Sequence, residues 1–255
     1  GMRAIGISTV VPLNDYQMVK GLSISDDSGY DALCKSGFYV QKAMMDAVET
    51  VFDMENQLIC SNSWNDQDEI HIGFGLHDKK GDYSVWVGVA MQSVIEHTNA
   101  PLCFHILHDD TLNRKNRNRL IQTAMQNGNR IVFHKSEPSR WKEAQERMGR
   151  YTVGAMFRIL LPEILSDVSR IIYLDADVLV YRDIKELWDM DLQDYCLAAV
   201  PDYPTANGMG KPYPVAKGDV LPSCYFNSGV LYMNLERIRM QGSMYENVMK
   251  YLIAN

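Results

Sequence analysis

Two aspartates, Asp175 and Asp177, stand inside an otherwise apolar run, RIIYLDADVLVY at residues 170–181. Burying one unpaired carboxylate is costly and two side by side repel, so both would take up protons unless a cation lay between them. A spacing of two puts both on one face of an extended segment. Magnesium and manganese are commonly held by one or two carboxylates together with substrate phosphates. The pair would then supply part of a coordination shell and a nucleotide's phosphates the remainder. The plainer reading is a strand end whose aspartates cap the next turn through hydrogen bonds.

Bulk properties bound the ligand. The chain has 255 residues, 46% of them hydrophobic and 22% charged, enough to bury a full core. A net charge of −7 argues against a nucleic-acid or anionic-membrane partner, since both need surplus Lys and Arg at the contact. An anionic phosphate would therefore be attracted by a bound divalent cation rather than by bulk charge. The five cysteines (Cys34, Cys60, Cys103, Cys196, Cys224) are odd in number and include no CxxC pair. They read as buried thiols in a reducing cytoplasm. No apolar stretch is long enough to span a bilayer. Gly1 ahead of Met2 reads as a residue left by an expression tag.

The elements that must position the aspartates alternate in type. Strands are expected at residues 70–76, 102–107, 130–134 and 170–174, with later ones at 196–200 and 229–234. Between them, Trp86, Val87, Ala90, Met91, Val94 and Ile95 form a helical stripe, and Thr111 is expected to cap a basic helix. Residues 151–165 and 243–254 read as further helices. Strict alternation with short connections implies an α/β protein with a mainly parallel sheet covered on both faces. Ligands of such sheets bind beyond the carboxyl ends of the strands, where the strand order reverses. Polar clusters follow four strands there: His77-Asp78, His108-Asp109-Asp110, Asp175-Ala176-Asp177 and Asp202. For His108-Asp109-Asp110, helix capping ahead of Thr111 is favoured over a metal site, and the basic run 114–119 reads as a solvated helix face. Residues 1–68 differ in texture. Val40, Ala43, Met44, Ala47, Val48 and Val51 mark one amphipathic helix in this leader, and the polar run SNSWNDQDE at 61–69 marks a boundary.

Three motifs, GFGLHDKKGDYSVWVGVAMQSV, YLDADVLV and FNSGVLYMNL, follow one another in the order found in glycosyltransferase family 8, which the chain resembles over about residues 69–255. The resemblance implies a GT-A fold, a Rossmann-like nucleotide-diphospho-sugar transferase. It implies transfer of galactose or glucose from a UDP-sugar to a carbohydrate or glycolipid acceptor, as in lipopolysaccharide biosynthesis, with retention and with Mn2+ or Mg2+. On this basis Asp175 and Asp177 match the metal-binding DxD, with Ala176 between them. Gly75 and Leu76 lie where backbone approaches the nucleoside, and Tyr83 where a ring stacks on uracil. Where the family usually has an acidic residue near the uracil, this chain has His77, with Asp78 beside it and an insertion before Asp82. Arg158 matches a family arginine near the donor sugar, and Asp202 and Asn227 match positions lining the sugar and acceptor side. The family pattern continues past the place of Asn255 into an Asp-Gln-Asp segment and a His-x-x-Gly-x-x-Lys-Pro segment that supplies a third metal ligand. Neither stands in this sequence.

Each assignment has a plainer alternative in the residues themselves. Gly75 could ease a turn, Tyr83 could be core, Arg158 could pair with a buried acid or reach outward, and Asn227 and Asp202 suit loops. A strand ending in DxD also opens phosphohydrolases of the haloacid dehalogenase group, with the first aspartate as nucleophile. Those enzymes usually carry Thr or Val where Leu179 stands, and a later acidic site that this sequence lacks. A third reading is a non-catalytic domain that binds a nucleotide sugar or glycan. The leader could shape an acceptor site or a contact between copies in a homo-oligomer.

Overall fold

The computed structural model describes residues 69–125, 128–142, 152–209 and 218–254. The leader helix expected around Val40 to Val51, together with Cys34 and Cys60, lies outside them. Six strands, β1 (Ile70–Leu76), β2 (Leu102–His108), β3 (Arg130–Lys135), β4 (Arg170–Leu174), β5 (Leu197–Pro201) and β6 (Phe226–Asn234), form one sheet ordered β3-β2-β1-β4-β6-β5. β1 lies parallel to both β2 and β4, and β2 parallel to β3, whereas β6 runs antiparallel to β4 and β5. The chain builds outward from β1 through β2 to β3, then returns to place β4 on the other side of β1. The strand order therefore reverses between β1 and β4, and Leu76 and Leu174 end there.

Helices cover both faces because the strands are apolar on both. On one face Ile72, Phe74, Phe104 and Ile106 pack with Val87, Met91 and Val94 of α1 (Tyr83–His97) and Leu120 and Ile121 of α2 (Arg114–Met125). On the other, Leu107, Ile171, Tyr173 and Leu231 pack with Phe157, Leu160, Leu161, Ile238 and Met249. Each such side chain contributes roughly 2 kcal/mol when buried. The second layer is built from α3 (Val153–Met156), a 3-10 turn (Phe157–Leu160) and α4 (Leu161–Ile164), followed later by α7 (Leu235–Met240) and α8 (Met244–Ala254). Two short helices, α5 (Lys185–Trp188) and α6 (Tyr203–Ala206), lie in the connections. On this second face burial pushes His105 well below the ordinary histidine value and His134 down to about 4.

Several local expectations change. The single helix expected at 151–165 is broken, because Pro162 has no N–H for the carbonyl of Arg158 and the chain tightens into the 3-10 turn before it. The basic helix starts at Arg114, where Asn113 Oδ1 accepts from the Asn116 amide at 2.9 Å, so Asn113 and not Thr111 is its cap. Its basic run is exposed at Arg114 and Lys115 and partly exposed at Arg117 to Arg119, whereas Asn116 is buried and the Arg117 guanidinium lies 4.5 Å over the Phe133 ring. Of the described cysteines Cys103 is buried, Cys196 partly so, and Cys224 exposed, so the expected burial holds fully for Cys103.

Candidate active site

Asp175 follows the last residue of β4, and its amide donates to Gly229 O at 2.8 Å, the final bond before the chain leaves the sheet. Ala176 and Asp177 then turn. The expectation that both carboxylates lie on an extended segment is corrected accordingly: Asp175 is half-buried, Ala176 buried and Asp177 exposed at the turn. The antiparallel return of β6 brings its first residues to the same edge, with Val230 paired to Leu174.

Around Asp175 the side chains are closely fixed. Arg158 donates from Nη2 to Asp175 Oδ1 at 2.7 Å, and Tyr173 donates its hydroxyl to the same oxygen at 3.0 Å. Arg158 is held in turn by Ala155 O at 2.8 Å and by Ser228 O, and its guanidinium carbon lies 4.4 Å from the Tyr173 ring centre. Of the two sequence alternatives for Arg158, pairing with an acid is the one the structure adopts. Burial raises the Asp175 carboxyl above the ordinary value; Arg158 and the Tyr173 hydroxyl oppose that rise, and Asp177 adds to it. Burial also raises the Tyr173 hydroxyl well above its ordinary value, which keeps it a donor.

Glycines make the room. A Cβ on Gly229 would come within 3.0 Å of both Asp175 Oδ2 and Asn227 Oδ1, so the second oxygen of Asp175 looks into space that only glycine leaves. Asn227 closes this turn by accepting from the Gly229 amide at 2.8 Å. Gly75 lies where a Cβ would meet Gly154 O at 2.5 Å, so β1 packs directly on the start of α3.

The connection after β1 is tied down separately. His77 Nδ1 lies 2.5 Å from Asp109 Oδ2. Asp109 Oδ1 accepts from the amide and hydroxyl of Thr111, and Thr111 Oγ1 accepts from the Asp78 amide at 2.6 Å. Asp109 thus joins the ends of β1 and β2 rather than capping a helix. Asp78 is 2% exposed; its carboxylate accepts from the Ser84 amide in the first turn of α1 and from Asn116 Nδ2. Tyr83, 38% exposed at the start of α1, is not core: its ring lies 5.1 Å from Trp86, and burial followed by the charges of Asp177 and Asp175 raises its hydroxyl. On the far side, Asp202 Oδ2 accepts from the Thr205 amide and hydroxyl as the cap of α6, and its own amide bonds Tyr225 O at 3.0 Å.

All the sequence candidates thus share one edge of the sheet, but only some touch. Arg158, Asp175, Gly229 and Asn227 form one cluster, which Tyr83 and Asp177 approach. His77 and Asp78 bond instead to the β2–α2 connection. Sequence reasoning missed Tyr173 and Gly229. Tyr173 was legible in principle, since it stands two residues before Asp175 and so shares its face. Carboxylate oxygens suit magnesium or manganese, and the gap beside Gly229 leaves Asp175 Oδ2, together with the exposed Asp177, able to meet such an ion.

Comparison with known proteins gives the same direction. The profile of glycosyl transferase family 8 matches residues 77–254, well over half of the chain. General stress protein A of Bacillus subtilis is 31% identical over 146 residues, 56% of this chain and 49% of that protein. Lipopolysaccharide 1,3-galactosyltransferase of Salmonella typhimurium is 27% identical over 173 residues, 67% of this chain and 50% of that one. The crystal structure of the galactosyltransferase LgtC in complex with donor and acceptor sugar analogs superposes with a TM-score of 0.57 at 26% identity, covering 72% of this chain and 66% of that one. The chain spans about half the length of the curated relatives it matches. Its mixed α/β architecture with a mostly parallel sheet is that of the GT-A glycosyltransferases, and the chain belongs to glycosyl transferase family 8.

Proposed function

We propose that this glycosyltransferase moves galactose or glucose from a UDP-sugar to a carbohydrate or glycolipid acceptor, with retention and with manganese or magnesium at Asp175 and Asp177. In this reading residues 69–255 are the transferase domain and 1–68 a leader. The observation that carries it is the cluster of Arg158, Tyr173 and Asp175 at the point where the strand order reverses. A bound divalent cation would supply Lewis-acid stabilisation of the departing diphosphate.

The chain's own residues supply position and charge. Arg158 fixes the rotamer of Asp175 through one oxygen and leaves the other directed toward Gly229. Tyr173 completes that hold without adding charge. Tyr83 offers a half-exposed ring at a helix start for the uracil face. Backbone at Gly75 and Leu76 borders the nucleoside, and His77, held by Asp109, takes the place of the family's acidic residue with Asp78 fixing the loop behind it. Asp202 and Asn227 face the sugar and acceptor. Transfer breaks the bond between the anomeric carbon and the diphosphate and forms one to the acceptor oxygen; holding both partners in place accounts for much of the acceleration.

The full-length protein tests this by release of UDP from UDP-galactose or UDP-glucose with Mn2+, faster when a glycan acceptor is present. A second reading is a domain that binds the nucleotide sugar without turnover. Thermal stabilisation by UDP with no UDP release from either sugar donor would favour it.

A further inference from the structure

On the second face of the sheet, several residues back along the strands from the edge that carries the aspartates, ring nitrogens and a thiol form a row across three strands. The β1–β2 register pairs His71 with Cys103 and Gly73 with His105, so the two-residue period of a strand puts His71, Cys103 and His105 on one face. β3 adds His134, paired to Leu107, on the same face. His71 Nδ1 lies 2.9 Å from His105 Nε2, and His105 Nδ1 lies 3.0 Å from His134 Nε2. One ligand atom from each of His71, Cys103 and His105 lies within 4.8 Å of the other two.

The geometry points to a zinc-class metal site made by His71, Cys103 and His105, in which the ion joins β1 to β2. Tetrahedral zinc with nitrogen and sulfur ligands places those atoms roughly 3.3–3.8 Å apart, and small rotations of the imidazoles bring this set to that spacing. A thiolate with two imidazoles selects a borderline ion such as Zn2+ or Co2+, not the Mg2+ or Mn2+ that suits carboxylates. His134 has the place of an outer partner. With His105 donating from Nδ1 to His134, its Nε2 lone pair faces His71 and Cys103, the way a ligating histidine is held by a bond at its other nitrogen.

Cys103 and His105 are buried and His71 is partly exposed, so the ion enters past His71. On binding, the Cys103 thiol releases its proton to solvent and its sulfur takes the metal bond. Three protein ligands leave the fourth position to a solvent molecule. His71 stands five residues before Leu76, about 16 Å back along β1 from the edge that carries Asp175. The site therefore stands apart from the transfer chemistry.

The test uses the full chain, stripped of metal by chelation and then titrated with Co2+ alone. One equivalent is expected to give a thiolate-to-cobalt charge-transfer band with the visible bands of tetrahedral cobalt, and Zn2+ should displace it. Cys103→Ala should abolish the charge-transfer band, His71→Gln should raise the Co2+ concentration that half-saturates the band by about tenfold or more, and Asp177→Ala should leave the band unchanged. If Cys103→Ala does not fold, by circular dichroism, His71→Gln at its partly exposed position decides. Absence of the band in folded wild-type protein, or its survival in Cys103→Ala, or Co2+ affinity unchanged in His71→Gln, overturns the site. The histidines would then be held together by their mutual hydrogen bonds without an ion.

Discussion

Arg158 reaches Asp175 at 2.7 Å from a 3-10 turn seventeen residues upstream, while its second amino group bonds Ser228 O on β6. One guanidinium thereby joins the helical layer, the end of β4 and the start of β6. The first carboxylate is thus positioned by that bridge as well as by the strand that carries it.

Arg158→Ala removes the bridge and leaves a half-buried carboxylate and a backbone carbonyl without their charged donor. We expect a loss of about 2 kcal/mol in urea unfolding, with Arg158→Lys recovering part of it because an ammonium cannot serve both partners in one plane. Unchanged stability in Arg158→Ala would show that water replaces the guanidinium.

Gly229→Ala places a methyl 3.0 Å from Asp175 Oδ2 and Asn227 Oδ1. Overpacking of about 1–3 kcal/mol at that point should appear in metal-dependent UDP binding, at roughly tenfold or more in Kd, while circular dichroism stays as in wild type. Calorimetric titration with UDP and Mn2+ reads the difference.

Asp78→Ala strips the Ser84 amide of its acceptor inside the protein and leaves Asn116 Nδ2 with Gly81 O as its remaining one. The expected cost is about 2 kcal/mol, seen as a lower urea midpoint. Asp78→Asn, which keeps one acceptor oxygen, should lose less.

Asp109 governs part of the acid limb of stability. Burial alone would push its carboxyl up, but the bonds from Thr111 and His77 outweigh this and hold it below the ordinary value. A depressed folded-state pKa gives stability that is fully present above the unfolded value of about 3.9 and lost as pH falls through the folded one. Asp109→Asn should therefore be less stable than wild type at neutral pH and show a flatter decline below about pH 4. Parallel acid limbs in the two proteins would contradict the assignment.

Much of this architecture is legible in the residues. The strands at 70–76 and 170–174 appear with the expected bounds, because each is an apolar run closed by a polar cluster. β6 begins three residues earlier than expected, since Phe226, Asn227 and Ser228 are polar or exposed and are recruited by pairing with the edge strand β5. Pro201 ends that edge strand, where a missing N–H is tolerated. The break before Pro162 was written in the sequence, but the reason the break matters, Arg158 turning toward Ser228, is a contact across 70 residues that no local pattern carries. Similarly, the Asp175–Asp177 pair was visible as a motif, whereas the turn at Ala176 depends on where β6 returns. Asp78 and Asp202 look alike in sequence as polar residues after strands. Only the fold shows Asp202 as the cap of α6 and Asp78 as the acceptor for the Ser84 amide in the first turn of α1.

In the proposed function Asp175 and Asp177 hold a divalent cation against a nucleotide diphosphate. Calorimetric titration of UDP-galactose or UDP-glucose into wild type and Asp177→Ala, each with and without Mn2+, tests it most directly. Asp177 is exposed and makes none of the contacts that fix Asp175, so the variant should fold as wild type does. Mn2+-dependent binding is expected in wild type and none in Asp177→Ala; equal affinity in the two proteins would overturn the metal assignment.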